Sequence, residues 1–342
     1  MMSDMSMKAA RVHQQGPAVF SIDTVPVPVP QPGQVLVKVE SAGVNFSDVK
    51  RRRGDAYPFD TAFPYVPGGE IAGTVVAHGP GVDGPPIGAR VFALAGANGF
   101  GGYAQYAVSF APTAVPIPEA MSFDEASVLI VAGATAKIML THTAQLQPGE
   151  SVLIPAATGG VGSFALQIAR SIGAGRIIAA VGGAHKGSLA RNLGAHDVVD
   201  YNQPHWPDVV REMTGGHGVN VALEASGGRG LVDTLRALAG FGRLVVYGAA
   251  SGVSATIDAQ TIDQWLYAPA ANQSITGFNI GAWFLERPAE GGAALMALIQ
   301  DALSGALRLP PITTLSLAQA REAHLALEER RTEGKLVIKP WA

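Results

Sequence analysis

One loop of this sequence has the residues and spacing of a phosphate-binding turn. The apolar run SVLIPAA (151–157) leads through a glycine-rich segment directly into a helical pattern. The spacing is A-x-x-G-x-x-G, with Ala156 at the position of the first glycine in the usual dinucleotide fingerprint. Glycines let the backbone approach a pyrophosphate, and the N–H groups and positive dipole end of the following helix favour the anion. The contacting residues are predicted to be Ala157, Thr158, Gly159, Gly160, Val161 and Gly162, and the alternative is a tight turn that binds nothing.

The end of the next predicted strand indicates which dinucleotide is bound. Folds that prefer NAD usually end this strand with an Asp or Glu, which accepts a hydrogen bond from the ribose 2′-hydroxyl. Here the strand ends in Gly182 and Gly183, followed by Lys186, and contains no carboxylate. Small residues and a cation suit a 2′-phosphate, so NADPH is the expected cofactor. Tyr201, after the following strand, either lies over the adenosine or is an ordinary edge aromatic.

Strands and helical patterns alternate regularly around this loop. Apolar strands alternate with helical patterns from SVLIPAA (151–157) to GRLVVYGAA (242–250). Strands this apolar are buried on both faces, which is typical of a parallel, doubly wound sheet. We therefore predict an α/β protein with a dinucleotide-binding domain over about residues 126–268.

Residues 1–125 have a different sequence pattern. Short β-branched runs such as QVLVKVE (34–40) and EIAGTVVAHG (70–79) are separated by Gly and Pro turn signals, a pattern typical of an irregular all-β unit. The last strand pattern, GKLVIKPW (334–341), is expected to return to this unit. The second domain is therefore predicted to be discontinuous, with residues 1–125 and 269–342.

The composition excludes several classes of protein. A net charge of −3 gives no field that would hold a nucleic-acid backbone, and the run Arg51 to Arg53 is either a solvated face or a small anion site. The sequence has no cysteine, which excludes disulfides, a thiol nucleophile and zinc sites with thiolate ligands. It has neither an apolar leader nor an apolar run of membrane length, so a cytoplasmic protein without a membrane partner is expected.

Seven motifs, in their order and separations, resemble one known family. They are AGVNFSDVKRRRGDAYP, PGGEIAGTV, GGYAQY, GATAKIML, AATGGVG, GRLVVYG and EGKLVIKP. With them the chain resembles the zeta-crystallin type of quinone oxidoreductase, a zinc-free branch of the medium-chain dehydrogenase/reductase superfamily. The resemblance covers nearly the whole chain. It implies a GroES-like catalytic domain with a partly open β-barrel, a Rossmann domain, a cleft between them, and commonly a homodimer paired edge to edge through the Rossmann sheets.

The resemblance also shows which metal ligands are missing. Zinc-dependent relatives carry Cys where Asn45 stands and His where Gly69 stands, and their structural zinc lobe needs four Cys. Glu70 persists, and for it we expect local hydrogen bonding in the cleft wall. Without a Lewis acid, alcohol dehydrogenation loses its main source of catalysis. We therefore expect no metal, and the reduction of an acceptor that is already electron-poor.

By the same resemblance, four side chains are expected near the nicotinamide. Asn45 would donate a hydrogen bond, Tyr57 would donate to the developing oxyanion, and Asp48 would fix their network. Thr135 would face the nicotinamide ring or its ribose. Three of them have a plainer alternative: Asp48 as a helix cap, Tyr57 packed beside its proline, and Thr135 as a helix-interior residue.

Three further residues are expected to contact the cofactor. Gly248 follows a strand of the doubly wound sheet, where such sheets place ligands, and its backbone would meet the nicotinamide carboxamide. Phe278 and Asn279, in TGFNI, would close the cofactor from the other side.

The expected function is NADPH-dependent hydride transfer to a small quinone or α,β-unsaturated carbonyl acceptor. Charge from the hydride delocalises onto an oxygen of such acceptors, so the protein needs mainly position and hydrogen-bond donors. One alternative is an enoyl or acrylate reductase acting on an acid or CoA thioester, with the run Arg51 to Arg53 facing the anion. Another is an NADPH-binding redox sensor or structural protein with little turnover.

Overall fold

The chain divides into two compact units in a computed structural model that describes residues 5–253, 257, 259–267 and 272–342. The first unit consists of Met1–Val131 and Pro311–Ala342, and the second of Ala132–Pro310. The predicted boundary after residue 268 lies outside the described residues. Residues 272–310 were expected in the first unit, and that expectation is wrong because they belong to the second.

The first unit is built on strands that are mostly antiparallel. They are β1 (Ser6–Arg11), β2 (Ser21–Pro26), β3 (Gln34–Gly43), β4 (Glu70–His78), β5 (Arg90–Leu94), β6 (Tyr106–Phe110), β7 (Val115–Pro116), β14 (Ile312–Ser316) and β15 (Lys335–Lys339). The main sheet has the order β14-β15-β3-β4-β5-β7, and β6 pairs with the other part of β3. β15 pairs antiparallel with β3, so the last strand returns to this unit as predicted. Since Val35, Val37 and Val39 enter one core and Leu36 enters another, β3 is buried on both faces.

Three helices complete the first unit: α1 (Phe46–Arg53), α2 (Phe123–Ala126) and α11 (Ala320–Glu328). α1 begins at Asn45, immediately after β3, and ends at Gly54, whose φ of 78° lies in the left-handed region that favours glycine. α1 packs against α11. Because the end of β3 is buried, it determines the position of Asn45 and of the start of α1.

The second unit confirms the predicted doubly wound parallel sheet. Its strands are β8 (Ser151–Pro155), β9 (Arg176–Val181), β10 (Asp197–Asp200), β11 (Val219–Glu224), β12 (Leu238–Val246) and β13 (Ser274–Gly277). Its helices are α3 (Ala134–Ile138), α4 (Gly160–Ile172), α5 (Gly187–Asn192), α6 (Trp206–Met213), α7 (Gly228–Arg236), α8 (Ala259–Tyr267), α9 (Ile280–Glu286) and α10 (Pro288–Leu303). The strand order is β10-β9-β8-β11-β12-β13, and all neighbouring pairs are parallel. In this order the chain runs outwards in one direction from β8 and in the other from β11. The strand order therefore reverses between β8 and β11, where such sheets bind ligands.

Two long-range contacts explain the differences from the expected boundaries. β13 extends the parallel sheet by pairing with β12, and α10 packs against α3, so this segment shares the core of the second unit. Helix α7 ends at Arg236 because Leu238 pairs with Val219 at the start of β12. No helix in the described part of the chain is both long and apolar enough to cross a bilayer.

Candidate functional site

The loop between β8 and α4 turns at Ala156. This residue has a φ of 48°, a value that residues other than glycine rarely adopt. It stands where the fingerprint usually has its first glycine, so the backbone geometry of that position is kept without the glycine. Ala157 and Thr158 behind it are buried.

The following glycines bring helix α4 against the loop. A Cβ atom at Gly162 would lie 2.6 Å from the Cα atom of Ala157, so only glycine permits this approach. The first helical hydrogen bond runs from the Ser163 N–H to the Gly159 carbonyl (2.9 Å), and the N–H groups of Gly160, Val161 and Gly162 precede it. These N–H groups and the helix dipole give the loop the chemistry of an anion site.

The end of β9 collects four of the predicted cofactor residues. A Cβ atom at Gly182 would lie 2.5 Å from the Tyr201 hydroxyl oxygen, so the absence of a side chain at Gly182 leaves room for this hydroxyl. Gly183 has a φ of 129°, and Lys186, just before α5, is only 7% exposed. Lys186 follows the two glycines in the chain, so this segment combines small residues with a buried cation.

The remaining predicted cofactor residues lie at the ends of β12 and β13. A Cβ atom at Gly248 would lie 3.1 Å from the Ala225 carbonyl oxygen, which follows β11. The ring of Phe278 stacks on Trp283 at a centroid distance of 6.4 Å. Asn279 caps α9, because its side-chain oxygen accepts hydrogen bonds from the N–H groups of the next helical residues at 2.8 and 3.2 Å. That oxygen is therefore engaged in the helix start.

Thr135 lies in α3 and is 5% exposed. The short helix stands between two π-helical turns, Leu129–Gly133 and Met139–Thr143. Such turns displace side chains from the regular helical positions and are frequent at functional sites. The two π-helical turns therefore distinguish the position of Thr135 from an ordinary helix interior.

A second group of polar side chains is buried in the first unit, where β3 meets α1. The backbone N–H of Asn45 donates to Asp48 Oδ2 (2.9 Å), and its Nδ2 donates to Glu70 Oε2 (3.0 Å). The ammonium of Lys335 donates to Asn45 Oδ1 (2.6 Å). All four residues are at most 9% exposed, and we call Asn45, Asp48, Glu70 and Lys335 the polar cluster.

Lys335 is the member of this cluster that the sequence did not identify. Its Nζ lies 3.6 Å from Glu70 Oε2 and donates to the Val44 carbonyl at 3.1 Å. The other oxygen of Glu70 accepts from the Val131 N–H (2.9 Å), which agrees with the local hydrogen bonding expected for this carboxylate. The available signal was a lysine directly before three apolar residues in the terminal strand, KLVIK.

The polar cluster does not fit a zinc ion. By the resemblance, Asn45 and Gly69 stand where zinc-dependent relatives have ligands. Both carboxylates of the cluster are already engaged, Glu70 with the Lys335 ammonium and Asp48 with two backbone N–H groups. In the described ranges, no group of three or more His, Cys, Asp or Glu side chains is placed to hold a metal ion.

Asp48 closes the N-terminal turn of α1, so the capping role that was its plainer alternative is present. Burial raises the pKa of its carboxyl group to about 6. The N–H groups of Asn45 and Gly68, the Lys335 charge and the Tyr103 hydroxyl oppose this rise. The carboxylate thus ties the helix start to the loop at Gly68.

Tyr57 follows α1 and is half-buried. Burial, with a smaller contribution from the negative charge of Asp48, raises the pKa of its phenol, and the nearby Arg51 opposes the rise. The phenol therefore keeps its proton at neutral pH and remains a hydrogen-bond donor. Its ring centroid lies 5.0 Å from Cζ of Arg51.

Comparison with known proteins gives matches to both units. The alcohol dehydrogenase GroES-like domain family matches residues 31–119, and the zinc-binding dehydrogenase family matches residues 160–291. A 2-haloacrylate reductase from a Burkholderia species is 32% identical, over 98% of this chain and 99% of the relative. Rat quinone oxidoreductase is 35% identical, over 72% of this chain and 74% of the relative. The structure of Escherichia coli quinone oxidoreductase complexed with NADPH has a TM-score of 0.89 and 28% identity, over 97% of this chain and 100% of that chain.

These matches confirm the fold class expected from the motifs, a GroES-like domain with a Rossmann domain. The residues that the sequence proposed for the site lie in both units. The phosphate loop and the end of β9 belong to the second unit, and Asn45, Asp48 and Tyr57 belong to the first.

The raised pKa of Asp48 predicts a specific pH dependence of stability. Because the folded protein holds this proton up to about pH 6 and the unfolded chain releases it near pH 4, the contribution of Asp48 to stability falls as pH rises between these values. We expect the unfolding free energy of the wild type, relative to Asp48→Asn, to fall by about 2 kcal/mol from pH 4 to pH 6.

Denaturant unfolding of both proteins across this range measures the difference. Asp83→Asn, at an exposed position, shows the background effect of removing one carboxyl group. A difference that stays constant or increases with pH would contradict the environment described for Asp48.

Proposed function

The chain belongs to the zinc-free, quinone-oxidoreductase-like branch of the medium-chain dehydrogenase/reductase superfamily, and on this premise we propose that it is an NADPH-dependent oxidoreductase. The proposed reaction is hydride transfer to a small acceptor, a quinone or an α,β-unsaturated carbonyl compound, without zinc. The observation that carries it is the phosphate loop with the buried Lys186 beyond the next strand, in a sheet without a carboxylate at that strand end. The NADPH complex of the E. coli relative supports the same cofactor.

When bound, NADPH supplies the hydride from its nicotinamide ring. Tyr57 is the proposed donor to the oxygen on which negative charge develops, because its phenol stays protonated and it is not sealed in the core. Thr135 is proposed to contact the nicotinamide ring or its ribose, and Gly248 its carboxamide. Phe278 is proposed to pack against the cofactor.

Asn45 takes a different role from the donor role first expected. Its Nδ2 group is directed to Glu70 (3.0 Å) and to the Gly43 carbonyl (3.5 Å), and its Oδ1 accepts from Lys335. With both ends of the amide engaged, we assign Asn45 and Asp48 to positioning α1, and through it Tyr57.

A second candidate function is the reduction of an unsaturated acid. The likeness to a 2-haloacrylate reductase along nearly the full length of both chains favours it. The two candidates share the cofactor and the hydride step and differ in the charge of the acceptor. A homodimer in the cytoplasm is also proposed. In support, β13 forms an edge of the sheet with one side unpaired among the described strands.

The test of the proposed function is the oxidation of NADPH and of NADH in the presence of acceptors. We expect turnover with NADPH on quinones, enones, enals or acrylates, and no reduction of NADP⁺ by simple alcohols, because the site offers hydrogen-bond donors but no metal ligand set. Absorbance of the reduced nicotinamide follows the reaction. Tight NADPH binding without turnover on any acceptor would contradict the proposal and favour a sensing or structural role.

Lys186 is expected to determine the preference for NADPH. In Lys186→Gln the 2′-phosphate loses a charged partner, so the KM for NADPH should rise by about 10- to 100-fold while that for NADH changes little. Arg176→Gln is the matched control, since it removes the same charge at the opposite end of β9. Equal losses with both cofactors in Lys186→Gln would show that Lys186 does not contact the 2′-phosphate.

A further inference from the structure

Arg51 differs from the other buried cations of the first unit. In its described part, three cationic side chains are at most 4% exposed: Arg51, Arg52 and Lys335. Arg52 pairs with Glu328 at 2.6 Å, and Lys335 lies 3.6 Å from Glu70. No described carboxylate lies within ion-pair distance of Arg51, which is 3% exposed. The guanidinium charge of Arg51 is therefore buried without an opposite charge.

Neutral groups surround this guanidinium. Nε donates to the Thr61 hydroxyl (3.1 Å), and Nη1 donates to the carbonyl oxygens of Asn98 (2.7 Å) and Gly99 (3.4 Å). Among the described residues none accepts a hydrogen bond from Nη2, and this atom is not one of the fully buried nitrogens without a partner, so it keeps contact with solvent. Nη2 of Arg51 can therefore donate to a further acceptor.

Three aromatic rings enclose the same group. Cζ of Arg51 lies 5.0 Å from the ring centroid of Tyr57, 4.9 Å from that of Phe100 and 5.8 Å from that of Tyr65. The hydroxyl of Tyr65 is buried and has no hydrogen-bond partner in the described structure. Burial raises the pKa of Tyr65, so this hydroxyl also keeps its proton and can donate.

A buried guanidinium without a counter-charge is costly, and a bound carboxylate would supply the missing charge and two acceptor oxygens. We propose that Arg51 is the specificity-determining residue for an acceptor whose carbon–carbon double bond is conjugated to a carboxylate. This rests on the proposed NADPH-dependent reduction. It gives the first arginine of the run Arg51 to Arg53 the anion role, whereas Arg52 and Arg53 have carboxylate partners.

The chemistry gives the guanidinium a second task. The β-carbon accepts the hydride, the electron pair of the double bond moves towards the α-carbon and the carboxylate oxygens, and a proton from water then bonds to the α-carbon. The products are the saturated carboxylate, NADP⁺ and hydroxide. Because a carboxylate gains a second negative charge during this step, it needs a cation more than an enone does. Arg51 beside Tyr57 supplies both a cation and a hydroxyl donor.

The test compares an acid with its neutral ester. For the wild type we expect a kcat/KM at least 10-fold higher on 2-chloroacrylate than on methyl 2-chloroacrylate. In Arg51→Gln the value on the acid should fall by 100-fold or more, while that on the ester should change by less than threefold. Arg51→Lys, which keeps the charge, should recover part of the loss. Arg53→Gln is the matched control on the same helix and should leave the acid-to-ester ratio unchanged.

Several results would overturn the assignment. Equal losses on acid and ester in Arg51→Gln would indicate that Arg51 only holds its loops together. Turnover of crotonyl-CoA that depends on Arg51, without an effect on the acid, would indicate recognition of another anion. Reduction of neutral quinones or enones with no preference for the acid would refute the role of Arg51 alone, whereas no reduction of any acceptor would refute the proposed function.

A measurement on the wild type covers the case in which the variants do not fold. Propionate should inhibit enone reduction competitively with the enone, and propionamide should be at least 10-fold weaker. Similar inhibition by the two compounds would contradict a carboxylate site at Arg51.

Discussion

The ammonium group of Lys335 is the charge on which the buried polar arrangement of the first unit depends. Glu70 is fully buried, and a buried carboxylate needs a cation and hydrogen-bond donors. Lys335 supplies the cation and also donates to Asn45, so one group fixes both side chains. Asn45 in turn begins α1, and Asp48 links the helix to the loop at Gly68. Removing one partner of a buried pair usually costs about 3–5 kcal/mol, so this arrangement is kept as a unit.

The second unit positions its functional atoms by backbone geometry rather than by charge. The left-handed conformation of Ala156 and the close approach at Gly162 give the start of α4 the geometry that the proposed pyrophosphate site requires. Gly182, after the end of β9, leaves room for the Tyr201 hydroxyl, and Lys186, four residues further along the chain, is buried. The proposed hydride transfer to an electron-poor acceptor would need no metal ligand from either unit.

Sequence patterns predicted the features that local geometry determines. The glycine-rich turn between β8 and α4 and the parallel sheet both follow from neighbouring residues. The membership of β13 and α10 in the second unit was missed, because it depends on pairing with β12 and packing on α3. Lys335 was missed because its partner Asn45 is 290 residues away along the chain. Three identical arginines in a row likewise gave no means of separating Arg51, without a carboxylate among the described residues, from its paired neighbours.

Transfer of deuterium tests the central claim, direct hydride transfer, most directly. The enzyme would be incubated with NADPH that carries deuterium at nicotinamide C4, prepared separately with the label on each face, and with an enone or acrylate. We expect one of the two labelled cofactors to place a single deuterium on the β-carbon of the product, observed by NMR or mass spectrometry. Reduced product without deuterium from either cofactor would contradict direct hydride transfer and the function proposed for this chain.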